Sequence, residues 1–226
     1  MSSKRIVSWT LLTVAIVFAA FVRYRLASMP LERDEGEYAY AGQLLLHGVP
    51  PYKLAYNMKL PGAYIAYAAI MAVFGQTMEA IRYGMLIINI ATILVLYQLT
   101  RDQFDETTAG ESAIIYAILS ISGSVVGMNA HATHFVAFFG LAGATSLWFY
   151  LKSPAWQLAF LSGLLFCLAF LMKQQGLFLV VMGGIYLFAR VFWCKERPWI
   201  QSLRDVFVFA LAAAMPYLVV PEKRPC

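Results

Sequence analysis

Residues 6–22 read IVSWTLLTVAIVFAAFV, with Lys4 and Arg5 ahead of them and Arg23 and Arg25 behind. The run carries no charge, and its polar residues are only Ser8, Thr10 and Thr13. A helix of roughly 20 mostly apolar residues crosses the hydrocarbon core of a bilayer. The N-terminal position and basic start are those of a signal peptide. However, basic residues follow the run and no small-x-small cleavage site does, so it reads as an uncleaved first membrane span.

The same pattern recurs along the chain. Apolar runs at Ile81–Leu99, Ser112–Met128, Phe135–Leu151, Leu158–Met172, Gly176–Phe192 and Val206–Val220 predict further spans. A shorter run, Pro61–Phe74 (PGAYIAYAAIMAVF), suits a juxtamembrane or re-entrant helix. Of the 226 residues, 61% are apolar and 13% charged. A soluble domain carries about 45–50% and about 25%. That balance excludes a soluble enzyme, a nucleic-acid-binding domain and a disordered chain. The three cysteines, Cys167, Cys194 and Cys226, form no ligand-spaced pair. The predicted fold is all-α: a multi-pass transmembrane helix bundle of about seven spans plus external juxtamembrane helices. Residues 1–226 read as a single membrane domain, with a first external loop and its juxtamembrane helices over 28–80 and the later spans over 81–220.

With the N-terminus in the cytoplasm, eight basic residues fall inside: Lys4, Arg5, Arg101, Lys152, Arg190, Lys195, Arg197 and Arg204. Nine fall outside: Arg23, Arg25, Arg33, Lys53, Lys59, Arg82, Lys173, Lys223 and Arg224. The positive-inside rule does not choose between orientations on that count. An external excess of cations has a use if they hold something anionic.

The first loop is the longest polar interval. Residues 28–62 read SMPLERDEGEYAYAGQLLLHGVPPYKLAYNMKLPG, and four of the chain's twelve acids, Glu32, Asp34, Glu35 and Glu37, fall within six residues of it. Tyr38 to His47 predicts a short amphipathic helix with Tyr38, Ala41, Leu45 and Leu44 on the membrane surface. Gly48 ends it and Pro50–Pro51 blocks its continuation. Asp34 and Glu35 have two readings: acids that cap the helix and complement its dipole, or one half of a site at the membrane surface. Lys59 likewise reads as a snorkelling anchor or as a site cation.

The order Asp34–Glu35–Gly36–Glu37–Tyr38, Ala39–Tyr40–Ala41, Gly48, Pro51–Tyr52 and Lys59–Leu60–Pro61–Gly62 resembles the first external loop of GT-C fold glycosyltransferases. The likeness is to the branch that holds protein O-mannosyltransferases and the lipid A aminoarabinose transferase. In that family an Asp, often followed by Glu, opens the loop and a Lys-Pro-Pro element closes it. Here the closing element is Lys59–Leu60–Pro61. Arg82 and the Leu96-to-Arg101 passage are also similar to family features, as is Lys173 in Phe170-to-Gly176, where the family has a Lys facing the carrier phosphate. A Lys between two apolar helices is costly unless it has a partner or water.

The resemblance implies a membrane enzyme that moves a sugar from a polyprenyl-phosphate carrier to an acceptor glycan, lipid or protein on the external face, with inversion at the anomeric carbon. Asp34 is then the candidate catalytic base, with Glu35 as its helper. Lys59, Arg82 and Lys173 are candidates for the carrier phosphate. Glu37, His131 and His134 are candidates for the acceptor or for a divalent metal ion, the one cofactor under consideration. The histidines stand at i and i+3 in Asn129–Ala130–His131–Ala132–Thr133–His134, where many relatives carry a carboxylate. Without the family, they read as polar residues at a span boundary.

Membrane lipids and a second membrane protein are the further partners implied, nucleic acid is not, and the expected location is a bacterial inner membrane with the loop facing the periplasm. Full family members are commonly about twice this length, so the chain reads as the N-terminal half, with the C-terminal region absent. A truncated or non-catalytic module of the same family is the first rival reading. A small-molecule transporter is the second, and it would need ionisable residues inside broken helices near the midplane.

Overall fold

The computed structural model describes residues 3–55, 57–125, 127–193 and 198–219. Cys194, Lys195, Arg197 and the tail from Val220 to Cys226, with Lys223 and Arg224, lie outside the described residues. Among the described residues the elements are nine α-helices: α1 (Ser3–Arg25), α2 (Arg33–Leu46), α3 (Gly62–Phe74), α4 (Met78–Gln103), α5 (Glu106–Leu119), α6 (Ala132–Lys152), α7 (Trp156–Met172), α8 (Leu177–Trp193) and α9 (Trp199–Val219). Short 3₁₀ turns stand at Gly123–Val125 and Gln174–Gly176. No strand occurs among the described residues.

Among the described residues, four stretches are long and apolar enough to cross a membrane: Ile6–Arg25, Met78–Gln103, Ala132–Lys152 and Gln174–Trp193. Gly62–Phe74 and Trp156–Met172 are shorter apolar helices. The run at 112–128 does not form one continuous helix. Asp105 caps α5 by accepting the Thr108 N–H at 2.8 Å, so the helix starts at Glu106, and it ends at Leu119. Fourteen residues rise about 21 Å, less than the hydrocarbon thickness of about 30 Å.

The described chain forms two compact units. The first comprises residues 1–55 and 64–134. Its core packs α1, α4 and α5 through small residues: Ala109, Ala113 and Ala117, four residues apart on one face of α5, are fully buried against Leu12, Ala19, Ile93 and Tyr97. Close approach through small side chains replaces hydrophobic drive where the surroundings are themselves apolar. At the other end of α1 the buried Arg23 donates through Nη2 to the carbonyls of Ser120 (2.6 Å) and Gly127 (2.7 Å). That pair of bonds satisfies polar groups of the chain reversal after α5.

α2 begins earlier than the amphipathic pattern predicts. Glu32, not Asp34, is the N-cap: its carboxylate accepts the Asp34 N–H at 2.8 Å, and Glu35 accepts the Glu32 N–H at 2.8 Å. This is a capping box in which Glu replaces the usual Ser or Thr. At the far end Gly48 takes φ +77°, and the Val49 and Gly48 amides return to Leu44 O and Leu45 O at 2.9 and 3.0 Å. These are the two bonds of a Schellman stop, and a side chain at Gly48 would be strained there. Of the apolar face that the sequence places on a membrane surface, the Tyr38 and Ala41 part is not open, while Leu44 and Leu45 are half-buried. Tyr38 and Ala41 are buried, and the Tyr38 ring stands 6.0 Å from that of Tyr64 and 5.4 Å from that of Tyr67, both on α3.

The second unit comprises residues 56–63 and 135–226. α7 is its central helix. A Cβ on Gly163 would stand 2.4 Å from Phe209 O, so α7 and α9 approach at backbone distance. Phe166 and Phe209 meet edge to face with ring centroids 6.3 Å apart, packed with Tyr150, Ala159 and Leu187.

Candidate active site

In the first unit the site is built on the first turn of α2. Glu35 is fully buried and stands in a two-pronged ion pair with Arg82 of α4: Oε1 to Nη1 at 2.7 Å and Oε2 to Nη2 at 2.9 Å. Glu35 also accepts the Ala130 N–H and closes the capping box. Arg82, itself buried, donates to Met128 O at 2.7 Å and to Pro30 O at 3.4 Å. Tyr67 of α3 donates its hydroxyl to Ala130 O at 2.6 Å. Residues 128–130 are thus held by side chains from three helices. Burying two charges is costly unless geometry and hydrogen bonds compensate them, and here both Glu35 oxygens and both Arg82 Nη groups are bonded, while Arg82 Nε is buried without a hydrogen-bond partner among the described residues. Burial and the neighbouring Glu35 carboxylate push the Tyr67 hydroxyl well above its ordinary pKa, so it remains a donor.

Asp34 follows a different course from its neighbour. Its side chain is 18% exposed, and Oδ2 stands 3.5 Å from His131 Nε2. His131 Nδ1 accepts the Thr133 N–H at 3.4 Å and meets Thr133 Oγ1 at 3.0 Å. An Nδ1 that accepts leaves the proton of the neutral ring on Nε2, the nitrogen that faces Asp34. The exposed Arg33 guanidinium lies 3.5 Å from the other Asp34 oxygen. A partly accessible carboxylate beside an imidazole is a proton acceptor with a built neighbour.

The two histidines do not share a helix face. α6 begins at Ala132, so His131 precedes it and uses its ring on the backbone of the first turn, while His134 is buried. Among the described residues no group of three or more His, Cys, Asp or Glu side chains is arranged to hold a metal ion. Glu37 accepts the Tyr64 hydroxyl at 3.1 Å, and burial together with this carboxylate raises the Tyr64 pKa. Tyr52 is the one non-glycine residue with positive φ (+67°) among the described residues, and its ring meets Tyr64 edge to face at 6.3 Å. A strained backbone held by its neighbours often marks a functional turn.

In the second unit the segments bearing Lys59 and Lys173 come together. A Cβ on Gly62 would lie 2.4 Å from Leu171 O and 2.8 Å from Met172 N. The Lys59–Leu60–Pro61–Gly62 turn therefore crosses the end of α7 two residues before Lys173. The Lys59 amide donates to Asn57 Oδ1 at 3.2 Å and orders the turn. Lys173 is extended (φ −157°, ψ 140°), caps the end of α7 with its amide on Ala169 O and is half-buried. Among the described residues, no hydrogen-bond or ion-pair partner stands at its ammonium group. Gly62→Ala is expected to destabilise the protein by about 1–3 kcal/mol, because backbone rather than a flexible side chain must yield. A thermal unfolding midpoint equal to that of the parent protein would contradict this.

The sequence reading did not single out Tyr64, Tyr67 or Arg23. The i, i+3 tyrosines of α3 were a readable signal, since a membrane-facing helix has little use for two hydroxyls on one side. The backbone groups that the arginines hold carry no sequence signal.

A family model described as dolichyl-phosphate-mannose-protein mannosyltransferase matches residues 59–220. No curated protein and no solved structure matches the chain. The matched stretch includes Lys59, Arg82, His131, His134 and Lys173 and begins after the acids of α2. The chain belongs to this family, whose catalytic domain is a glycosyltransferase domain of the GT-C type.

Proposed function

We propose, with membership of this mannosyltransferase family as the premise, that the chain transfers a sugar from a polyprenyl-phosphate carrier to an acceptor glycan, lipid or protein at the external face of a bacterial inner membrane. The observation that carries the reading is the contrast between two adjacent carboxylates. Glu35 is buried, and Arg82, the Ala130 amide and the Glu32 amide meet its oxygens. Asp34 is partly accessible and faces an imidazole. One serves as frame and the other as reactive group.

In this reading Asp34 takes the proton of the acceptor hydroxyl as its oxygen attacks the anomeric carbon. The bond to the carrier phosphate breaks from the opposite side, which inverts the centre. Lys59 and Lys173 stabilise the leaving phosphate as it gains charge. Glu35 and Arg82 act as positioning residues, and Glu37 and His131 flank the acceptor. The topology that suits these roles has seven spans, with the N-terminus inside and the first loop outside.

The test uses purified protein in lipid with polyprenyl-phosphate mannose, following donor consumption. Parent protein should consume donor. Lys173→Gln should reduce kcat about 10²–10³-fold, the range for removing one group that stabilises developing charge. No consumption by the parent protein in the presence of membrane extract as acceptor source would overturn the reading.

A further inference from the structure

The backbone of residues 127–130 is held by side chains from four helices, all in the first unit. Arg23 of α1 donates through Nη2 to Ser120 O at 2.6 Å and to Gly127 O at 2.7 Å. Arg82 of α4 donates to Met128 O at 2.7 Å. Glu35 of α2 accepts the Ala130 N–H, and Tyr67 of α3 donates to Ala130 O at 2.6 Å. The next residue is His131, whose Nε2 stands 3.5 Å from Asp34 Oδ2. The candidate base thus meets an imidazole that lies one residue beyond a fixed peptide.

Arg23 is a costly way to build such a hold. It belongs to the apolar span Ile6–Arg25 and is buried. Its hydrogen-bond partners among the described residues are two carbonyls, and its Nε is buried without one. An ionisable residue inside a membrane helix bundle is expensive and is a functional-site candidate by default. Carbonyls at the C-terminus of α5 offset part of the charge, because the helix dipole favours a cation there. The two carbonyls converge on one nitrogen because Gly127 brings its backbone against the end of α5. A Cβ on Gly127 would stand 2.4 Å from Ser120 O and 2.9 Å from Ser122 O. Neutral donors would satisfy two carbonyls for folding alone. The charged group adds a stiffer hold, since charge-assisted hydrogen bonds are roughly twice as strong as neutral ones.

Tyr67 supplies the second hold. It is fully buried, and its hydroxyl reaches a carbonyl 63 residues further along the chain. A buried hydroxyl must keep its hydrogen bond, so the ring and Ala130 O stay in register. The contact at the end of this framework has little tolerance. An ion-pair contact is lost beyond about 4 Å, so a shift of about 1 Å in His131 would separate it from Asp34. A misplacement of about 1 Å caused by a change far from the chemistry costs about 10²-fold in rate.

We propose that Arg23 and Tyr67 are positioning residues: by fixing Gly127 and Ala130 they place the His131 ring against Asp34. Neither side chain acts on the reacting atoms. The placement concerns the first unit alone, and its effect on turnover rests on the proposed sugar transfer with Asp34 as base.

The test isotope-labels the histidine nitrogens of the full chain and reads the ring signals by NMR in detergent at a single pH. The chain has three histidines, and the His131 signals are those lost in His131→Gln. Asp34→Asn gives their position when the pair is broken. Arg23→Met and Tyr67→Phe should each move the His131 signals toward that position, while those of His47 stay in place. Tyr67→Phe removes only a hydroxyl, so it decides the proposal even where Arg23→Met does not fold. Both variants should lower kcat about 10²-fold, with the KM for polyprenyl-phosphate mannose close to that of the parent. His131 signals that keep the parent position in either folded variant overturn the proposal. Moved signals with undiminished kcat also overturn it, since the two residues would then be structural only. Moved signals in a chain whose parent form consumes no donor have a separate meaning: the sugar-transfer reading fails and the placement of His131 stands.

Discussion

Asp34→Asn is expected to lower sugar transfer from polyprenyl-phosphate mannose about 10²–10⁴-fold, the range for removing a positioned general base. Asparagine keeps the size of the side chain and an oxygen that can still meet His131, but it does not accept the proton of the attacking hydroxyl. The fold should tolerate the change. Asp34 is partly exposed on the first turn of α2, and the N-cap bond of that helix uses the Asp34 amide rather than its carboxylate. The part of the stability loss that comes from the helix dipole is about 0.3–1 kcal/mol, and the contacts of Asp34 with His131 and Arg33 are at the 3.5 Å edge of ion-pair distance. Donor turnover and the thermal midpoint, measured on the same preparation, separate the two effects. Undiminished turnover in a folded Asp34→Asn protein would remove the residue from the base role.

Glu35→Ala should have the opposite profile: a loss of stability that turnover merely follows. The substitution removes the carboxylate that faces both Arg82 nitrogens, the Ala130 amide and the Glu32 amide. Breaking one partner of a buried ion pair costs about 3–5 kcal/mol, because the remaining charge is left without compensation. Among the described residues Arg82 would keep its bonds to Met128 O and Pro30 O. A double variant, Glu35→Met with Arg82→Met, removes both charges and should be markedly less unstable than the single one. Thermal unfolding of the three proteins in one detergent reads this directly. A Glu35→Ala midpoint within a degree of the parent would show that the pair is not what holds α2 to α4.

The membrane character and the helical class were legible because they depend on long runs of one chemistry. Residues 6–22 need no partner to be recognised as a span. The boundaries of α5 were less legible. The apolar run at 112–128 continues through Ser120 and Gly123, and hydropathy does not register that Asp105 starts the helix or that the buried Arg23 takes the carbonyls of Ser120 and Gly127. The start of α2 was misjudged for a related reason. Among four acids, the two that form the capping box are Glu32 and Glu35, three residues apart, while Asp is the better N-cap by propensity.

The candidate site divides along the same line. Its residue types were readable: an acid pair in a loop beside a first span, a Lys-Leu-Pro turn and a Lys between apolar helices resemble the family to which residues 59–220 match. The different fates of Asp34 and Glu35 were not readable. They are neighbours of nearly equal chemistry, and only contacts with Arg82, 47 residues away from Glu35, and Ala130, 95 residues away, distinguish them. The face of α2 follows the same logic. An apolar stripe fits a lipid surface and a protein core alike, and the tyrosines of α3 made it core.

The sequence by itself determined that this chain is helical, lives in a membrane and places its acids in one loop, because hydropathy and local charge are properties of short stretches. Which acid is buried, which histidine meets the remaining one, and where the Lys59 turn crosses α7 were decided only by the tertiary structure. Those outcomes depend on the pairing of groups distant in the chain, and a buried charge or a backbone at contact distance is tolerated only where its partner is in place.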